Sequence, residues 1–459
     1  MADKPPVDEL SREDLIGLVR EQQRQIADLR EEIERLKRSQ HRQAAPFSKE
    51  KPVKDPKKPG RKKGQGPFGR RQAPNGEPDI TVEAQAPFCC PDCGGALEQE
   101  GVEQATTTSL PEQPKPIVTA YRVAICHCRN CGKKVRGSAQ GLAADQYGAT
   151  AHRVGASVMA AAHALHYRIG VPVRKVPAVL RELTGVSITQ SALTQDALRR
   201  AKGEVGAEYR KLRQGIRESP FVHTDDTGWR VGGKTAYLMG FESDQAAVYQ
   251  IRPRHRNEEV REVIPSNYAG VMISDRGKSY DAKEYDGVEQ QKCLAHILRN
   301  LSDVVETKQG RAREFAWKGK TLFREGIQLW RARHRFPEAV FAEKADEIKK
   351  QVTHHLRNRI LKDDDNQKLL NGLGKQDDQG HLMRFLSAPF VEPTNNRAER
   401  MLRPAVIARK VSHCSKNQAG ADAFVAFTSI AQTARKNVPV SITTAFRLLF
   451  STPTPVADG

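Results

Sequence analysis

Two acidic residues, Asp225 and Asp275, lie in segments whose residue pattern predicts β-strands. The segment Phe221–Val231 starts with apolar residues and carries Asp225. The segment Gly270–Gly277 is short and apolar up to Asp275, which is typical of a buried strand. Carboxylate oxygens are the ligands that Mg²⁺ prefers in proteins. If the two strands are neighbours, the sequence predicts a divalent cation site between these side chains.

A third carboxylate is expected from Glu399, in the segment Pro393–Pro404. Asn395 or Asn396 can cap a helix here, and Pro404 is expected to interrupt that helix. Together the three carboxylates would hold two Mg²⁺ (or Mn²⁺) ions roughly 3.5–4 Å apart, an arrangement that supports in-line phosphoryl transfer.

The segments around these acids predict a single sheet. Thr235–Phe241 and Ala246–Ile251 follow the first strand after turns, so the three strands form an antiparallel meander. The polar stretch Asn257–Ile264 is compatible with a crossover helix. Because such crossovers are short and right-handed, the strand of Asp275 is expected parallel to and beside the strand of Asp225. This is the sheet of the ribonuclease H fold, with the two aspartates facing each other at one edge.

Several residues near the acids are candidates for supporting roles. Alternation along the strand places Asp226 on the opposite sheet face, where it would support the site. Cys293 and His296 lie one helical turn apart after a predicted fifth strand, Val288–Leu294. Two ligands make an incomplete metal site, so packing or positioning of DNA is favoured over metal binding. Weaker substitutes for the three acids are Asp281, Asp286 and Glu392.

Positive charge is concentrated in two parts of the chain. A length of 459 residues allows two to four domains, and the formal net charge of +20 predicts a polyanionic partner, by default nucleic acid. Residues 49–71 are rich in Pro, Gly, Lys and Arg and predict a disordered tether that either binds DNA or only solubilises the chain. Arginines also surround Glu399 and favour phosphate contact. The predicted DNA-binding residues are Lys57, Lys58, Arg61, Lys62, Lys63, Arg397, Arg400, Arg403, Arg409 and Lys410.

Six of the eight cysteines lie between Cys89 and Cys131. Two CxxC pairs, each followed by glycine, favour a structural zinc ribbon over a redox pair, because the two-residue gap lets both thiolates reach one tetrahedral ion. The predicted Zn²⁺ ligands are Cys90, Cys93, Cys128 and Cys131. Cys89, Cys126 and His127 lie so close that the choice of ligands could differ by one residue.

The N-terminal segment has a heptad pattern of apolar residues. Leu15, Val19, Ile26 and Leu29 follow steps of four and three, with Gln22 as a polar residue in register. This pattern predicts a parallel coiled coil and therefore a homodimer or higher oligomer. The alternative is an amphipathic helix packed on its own domain.

Residues 149–217 are predicted to be mostly helical. Arg174–Leu183, a turn at Thr184-Gly-Val, and Ser187–Arg200 have the proportions of a helix-turn-helix. Helical packing beside the sheet is favoured over base recognition, for which the second helix would offer Thr189, Gln190, Thr194 and Gln195. Arg311–Leu386 predicts an all-helical insertion, which separates Glu399 from Asp275.

The predicted fold class is multidomain α+β. The expected parts are a coiled-coil helix at 8–42, a basic disordered linker at 43–78, a zinc ribbon at 79–140, a helical DNA-binding region at 149–217, a first part of a ribonuclease H-like core at 218–300, a helical insertion at 301–390 and completion of the core at 391–450. The N-terminus lacks a signal-peptide pattern and no apolar run reaches membrane-spanning length, so a cytoplasmic protein without a membrane partner is expected.

Four motifs, taken in order, resemble the catalytic domain of the insertion sequence 66 (TnpC-type) family of DDE transposases. They are His223-Thr-Asp-Asp-Thr-Gly-Trp-Arg-Val, Gly270-Val-Met-Ile-Ser-Asp, Cys293-Leu-Ala-His-Ile-Leu-Arg and Asn395-Asn-Arg-Ala-Glu-Arg-Met-Leu-Arg-Pro. The resemblance implies a bacterial, nucleoid-associated enzyme that cuts at terminal inverted repeats and transfers the ends into target DNA. It also implies a leucine-rich N-terminal segment, a zinc-binding domain that touches the transposon ends, and small accessory proteins.

Two departures from the family pattern bear on activity. Arg276 and Gly277 follow the second aspartate where family members commonly have glycine and tyrosine, and Ala236–Met239 replaces a more tryptophan-rich strand. The rival hypotheses are a catalytically inactive, dimeric zinc-ribbon DNA-binding regulator and a plain nuclease of the same fold.

Overall fold

The computed structural model describes residues 77, 79–82, 87, 89, 91–98, 116–139, 141–142, 146–148, 152–357, 359–436 and 441–451. The chain divides into two compact units, Met1–Leu110 and Pro111–Gly459. The predicted coiled coil at 8–42 lies outside the described residues. So does the predicted linker at 43–78, apart from Glu77.

Seven strands in the described residues form two sheets. β1 (Ile125–His127) and β2 (Lys134–Arg136) form a small antiparallel hairpin. The larger sheet contains β3 (Phe221–Val231), β4 (Lys234–Glu242), β5 (Ala247–Arg252), β6 (Val271–Ser274) and β7 (Gln290–Lys292). Its order is β5-β4-β3-β6-β7, with β3 to β5 antiparallel and β3, β6 and β7 parallel. The predicted meander and the parallel return beside β3 are therefore confirmed.

The long strand β3 forms because its sequence suits a central strand that emerges from the core. Phe221 to Thr224 at its start are buried, and the later positions are half-buried or exposed except for Trp229. Gly232 and Gly233 have φ of +57° and +81°, which allows the two-residue turn that reverses the chain into β4. Asp225 therefore lies near the middle of β3 rather than at its end.

The segment before the sheet is helical, as predicted. It contains α1 (Ala156–His163), a π-helical turn (Ala164–Ile169), α2 (Val176–Thr184), α3 (Gln190–Lys202) and α4 (Glu204–Arg217). Gly185 ends α2 with φ of +70°, and the Thr189 hydroxyl caps α3 by accepting from the Ala192 N–H at 3.1 Å. Gln190, Thr194 and Gln195 are exposed along α3. A role for this helix in base recognition stays a prediction.

Helices also connect the acids along the chain. The crossover contains α5 (Asn257–Arg261), and β7 is followed by α6 (Leu294–Thr307), α7 (Gly310–Arg331), α8 (Glu338–Leu356) and α9 (Asp364–Asp378). The helical character predicted for 311–386 is confirmed. Leu294, Ile297 and Leu301 of α6 share one buried cluster with Phe221 and Ile273 of the sheet, so the inserted helices pack onto the sheet through α6.

The last three helices are α10 (Asn396–Ser412), α11 (Gln418–Lys436) and α12 (Ile442–Ser451). The prediction that Pro404 interrupts its helix is wrong, since α10 continues through this residue. Proline removes one helical hydrogen bond, but Leu402 and Ala405 on either side of it are buried against the sheet and keep the helix in place. No described helix has the length and apolar composition needed to cross a membrane.

The edge strand β5 is covered by α11. The N–H groups of Ala247 and Tyr249 each donate to a hydroxyl of α11, Thr433 Oγ1 and Ser429 Oγ respectively, both at 2.9 Å. These hydroxyls satisfy donors that would otherwise form an open sheet edge. The opposite side of β3, beyond its short pairing with β6, is the side on which the candidate site lies.

Candidate active site

Asp225 and Asp275 occupy equivalent positions on neighbouring parallel strands. The pairing of β3 with β6 ends at His223 with Ile273. Two residues further along each strand lie Asp225, within β3, and Asp275, the first residue after β6. The strand register thus brings both aspartates to the end of β6, as predicted from the sequence.

The environment of Asp225 disfavours its negative charge. Burial, together with the charges of Asp275, Asp226 and Glu399, raises the pKa of Asp225 to about 7, although the Asp226 N–H donates to Asp225 Oδ1 at 2.9 Å and opposes the shift. Burial also raises the pKa of Asp275, against the opposing influence of His296. Negative charge is therefore undercompensated at this end of the sheet.

Glu399 reaches the same region from the first turn of α10. Its carboxylate interacts electrostatically with Asp225, and its Oε1 lies 3.9 Å from Nε2 of His296. The Glu399 side chain is 41% exposed. His296, predicted as a supporting residue, lies on α6 and acts electrostatically on Asp275 as well.

A buried asparagine ties α10 to β3. Asn395 precedes α10, but its side chain does not cap the helix as the sequence suggested. Instead Oδ1 lies 3.1 Å from Nδ1 of His223, and Nδ2 donates to the Thr224 carbonyl at 2.7 Å. Burial lowers the pKa of His223 to about 3, so its neutral ring donates to Asn395. These bonds fix the start of the Glu399 helix beside the residues that precede Asp225.

Cys293 belongs to the same network and is a packing residue. Its Sγ accepts from the Asn395 N–H at 3.1 Å, and its own N–H donates to the Ser274 carbonyl at 2.8 Å. Cys293 is only 1% exposed. It therefore links β6 to α10, which agrees with the interpretation of this residue as structural support.

A glycine opposite Asp225 lets α10 approach the sheet. Gly240 on β4 pairs with Asp225 in the strand register. A Cβ at Gly240 would lie 3.0 Å from Leu402 Cδ2 and 3.5 Å from Met401 Cε on α10. Because Leu402 is three residues beyond Glu399, this close approach sets how near the glutamate comes to the aspartates.

Sequence reasoning missed a buried lysine behind Asp275. Lys292 is fully buried, and its Nζ lies 2.6 Å from Asp281 Oδ1 and donates to Gln290 Oε1 at 2.7 Å. It also donates to Ser274 Oγ at 3.3 Å, and burial lowers its pKa while Asp281 raises it. The pair joins the loop after Asp275 to β7. The only sign of this role is a lysine within a strand whose residues are all buried.

Asp226 is paired away from the three carboxylates. Its Oδ1 lies 3.0 Å from Nδ1 of His255, which follows β5. Its N–H donates to Asp225, so Asp226 supports the neighbouring carboxylate through its backbone.

The predicted DNA-binding arginines differ in their contacts. Arg397 lies close to Asp244, Glu242 and Glu392, at 2.8, 3.6 and 3.9 Å, so its charge is already matched within the protein. Arg409 donates to Thr227 Oγ1 at 3.2 Å and to the Gly228 carbonyl. The exposed members of the set are Arg400, Arg403 and Lys410. The predicted Lys57, Lys58, Arg61, Lys62 and Lys63 lie outside the described residues.

The CxxC segments have turn conformations. Gly94 and Gly132, which follow the two pairs, have φ of +72° and +68°, as the tight turns require. Cys128 and Cys131 lie in the turn between β1 and β2, where the backbone amides of Cys131 and Asn130 lower the pKa of the Cys128 thiol. Cys93 is exposed in its own turn, and Cys90 lies outside the described residues.

The donor set at the sheet fits a divalent cation chemically. Within the described part of the chain, no three His, Cys, Asp or Glu side chains are close enough as they stand to hold a metal ion. Asp225, Asp275 and Glu399 nevertheless supply oxygen ligands, and burial together with the charges of the other acids raises the pKa of Asp225. A cation bound by these carboxylates would relieve their repulsion.

The described residues thus form a mixed α+β protein with a cluster of carboxylates beside a five-stranded sheet. The sequence profile of the Transposase IS66 family matches residues 152–423, and the chain belongs to this family. The match includes all three carboxylates and the helices between them, but not the cysteine pairs. No curated protein matches the chain.

Proposed function

We propose that the chain is a DNA transposase that cuts DNA at the inverted repeats of its element and joins the ends to target DNA. Asp225, Asp275 and Glu399 are the proposed catalytic carboxylates. The observation that carries the proposal is the raised pKa of Asp225, caused by burial together with carboxylates from two other elements. Membership of a transposase family supports the same conclusion.

The proposed cofactor is a pair of Mg²⁺ or Mn²⁺ ions held by the three carboxylates. When bound, these ions would activate water or a DNA 3′-hydroxyl and stabilise the leaving oxygen, so that cleavage and joining use one site. Asp225 would be fully ionised in this state, since a neighbouring cation lowers a carboxyl pKa. The Lys292–Asp281 pair would hold the loop that carries Asp275, and Asn395 would hold the helix that carries Glu399.

The core is proposed to be ribonuclease H-like, on the basis of the meander followed by two parallel strands. A zinc ribbon formed by the two CxxC pairs, DNA contact by the basic tether and by Arg400, Arg403 and Lys410, and dimerisation through the N-terminal heptads complete the proposal. Accessory proteins are proposed only from the family resemblance.

Substitution of one carboxylate tests the proposed chemistry. Asp275→Asn should lower Mg²⁺-dependent cleavage of a duplex carrying the inverted repeat that borders the gene by roughly 10²- to 10³-fold, as expected for the loss of one main electrostatic contribution. Binding of the same duplex should be retained. Asp303→Asn, an exposed acid on α6, is the control.

Three outcomes separate the alternatives. Unchanged cleavage by Asp275→Asn would remove Asp275 from the catalytic set. Cleavage by the natural protein without joining of a 3′-hydroxyl to a second duplex would favour a plain nuclease. Binding without cleavage by the natural protein would favour a DNA-binding regulator.

A further inference from the structure

A groove of about 740 Å³ lies where the β3–β4 hairpin meets the segment after α10. Its lining includes Trp229, Arg230, Tyr237, Arg409, His413 and Ser415. None of the residues described as lining it is acidic, whereas two are arginines. The groove therefore has the charge of a site for an anion or a polyanion.

The groove covers the end of the β3–β4 hairpin and reaches the side of β3 that β6 leaves open. β6 pairs with β3 only as far as His223, and further along this side Arg409 donates to the carbonyl of Gly228. The chain after α10 then joins the strand, since the Ser415 N–H donates to the Arg230 carbonyl at 3.2 Å and its carbonyl accepts from Gly232 at 3.0 Å. One wall of the groove is thus β3 itself.

The groove begins close to the carboxylates. Gly228, its first lining residue, is three residues beyond Asp225 on one strand, which is a distance of about 10 Å. Stacked nucleotides are spaced at about 3.4 Å along one strand, so about three nucleotides would span this distance. The α10 helix joins the two places as well, with Glu399 in its first turn and Arg409 near its end.

His413, one of the residues that line the groove, has an unusual backbone conformation. His413 has φ of +64° and ψ of −165°, and no other non-glycine residue in the described part of the chain has positive φ. This region of conformation is essentially restricted to glycine, and residues held there cluster at functional sites. The neighbouring Ser415 is fixed by Trp229, whose Nε1 donates to its hydroxyl at 3.2 Å. The exposed His413 side chain is therefore held at the groove despite backbone strain.

The lining suits single-stranded DNA better than a small anion. Arg230 is exposed, and a guanidinium can bind a phosphate through two parallel hydrogen bonds. Tyr237 is half-buried and offers a ring on which a base can stack. An elongated groove that combines cationic and aromatic side chains is the combination that binds unpaired strands.

We propose that this groove binds a short unpaired stretch of DNA that leaves the scissile phosphate across the side of β3 beyond β6, with Arg230 on a phosphate and Tyr237 against a base on the sheet face of Asp226. The inference rests on the proposed function, because it places the scissile phosphate at the three carboxylates. It adds a path for the strand and two residues that sequence patterns did not indicate.

Photo-cross-linking tests this path. The probe is a 30-base-pair terminal duplex with a single-stranded extension of five thymidines at the cleavage point, in which each thymidine in turn is replaced by 5-iodouridine. Irradiation with the full-length chain should attach the base to Tyr237 at one or more of the five positions, as identified by mass spectrometry. Arg230→Ala should lower this cross-linking about 5- to 10-fold.

Arg331→Ala is the matched control, because Arg331 is an exposed arginine at the end of α7, outside the groove lining. Cross-links that form only outside the groove, or equal yields for the Arg230 and Arg331 variants, would overturn the inference. Cleavage of the uninterrupted end is scored separately with the natural protein. Cleavage without a groove cross-link rejects only the proposed DNA path through the groove. A groove cross-link without cleavage supports that path and rejects the transposase chemistry.

Discussion

At the scale of single residues, the site consists of buried groups that are either incompletely neutralised or held by several bonds. Asp225 belongs to the first kind, since burial and three other carboxylates raise its pKa to about 7. Asn395, His223 and Cys293 belong to the second kind, because each is at most 1% exposed and hydrogen-bonded to another element. The first kind provides the proposed chemistry, and the second kind fixes where it occurs.

Asn395→Ala should destabilise the protein by about 1–3 kcal/mol, because the buried His223 ring and the Thr224 carbonyl would each lose a partner. Asn396→Ala is the control, since Asn396 is exposed and its substitution should change the free energy of unfolding by less than about 0.5 kcal/mol. Denaturant unfolding measures both. Equal effects of the two substitutions would mean that Asn395 does not tie α10 to β3.

Sequence reasoning could find the residues that the strand pattern fixes and not those that packing fixes. Asp225 and Asp275 were predicted because alternation, turns and the handedness of a crossover determine their register. The Lys292–Asp281 pair was not predicted, because it depends on how the loop after β6 folds back onto β7. The role of Asn395 was missed because an asparagine before a helix ordinarily caps that helix.

At the scale of elements, three short contacts determine the site: β6 beside β3, α10 over Gly240, and α11 over the edge of β5. The sequence predicted the first, since it follows from strand topology. The prediction that α10 stops at Pro404 was wrong, because burial of Leu402 and Ala405 outweighs the hydrogen bond that Pro404 removes. Tertiary packing thus decides how far the helix extends, which local propensity cannot show.

The hairpin of β1 and β2 carries the element-scale prediction about zinc. Cys128→Ser should lower the bound zinc from one ion per chain to a small fraction of that. Cys128 is the first cysteine of the second CxxC pair, and backbone amides already lower the pKa of its thiol, which favours the thiolate that binds zinc. Cys126→Ser, an exposed cysteine two residues earlier on β1, is the control and should retain zinc. Metal analysis of the purified proteins measures both. Zinc loss in Cys126→Ser alone would mean that Cys126, and not Cys128, is a zinc ligand.

At the scale of the whole molecule, the part that belongs to the transposase family carries the site. The profile match at 152–423 includes the sheet, the helices before it and the inserted helices. The net charge of +20 over the whole chain agrees with a DNA partner, but the site itself is acidic. Divalent cations bound by the carboxylates would resolve this opposition of charge.

Thermal unfolding of the natural protein and Asp225→Asn, at pH 4.5 and pH 8 and with or without Mg²⁺, tests whether a divalent cation relieves the unfavourable charge of Asp225. A carboxyl whose pKa is raised in the folded state contributes stability below its unfolded pKa of about 3.9, and this stability is lost as pH rises through the folded value of about 7. Without Mg²⁺, Asp225→Asn should therefore exceed the natural protein in stability by about 1–3 kcal/mol at pH 8 and by less at pH 4.5. Mg²⁺ should stabilise the natural protein at pH 8 and not the variant. A lower stability of Asp225→Asn at pH 8, together with equal stabilisation of both proteins by Mg²⁺, would contradict a cation site at Asp225.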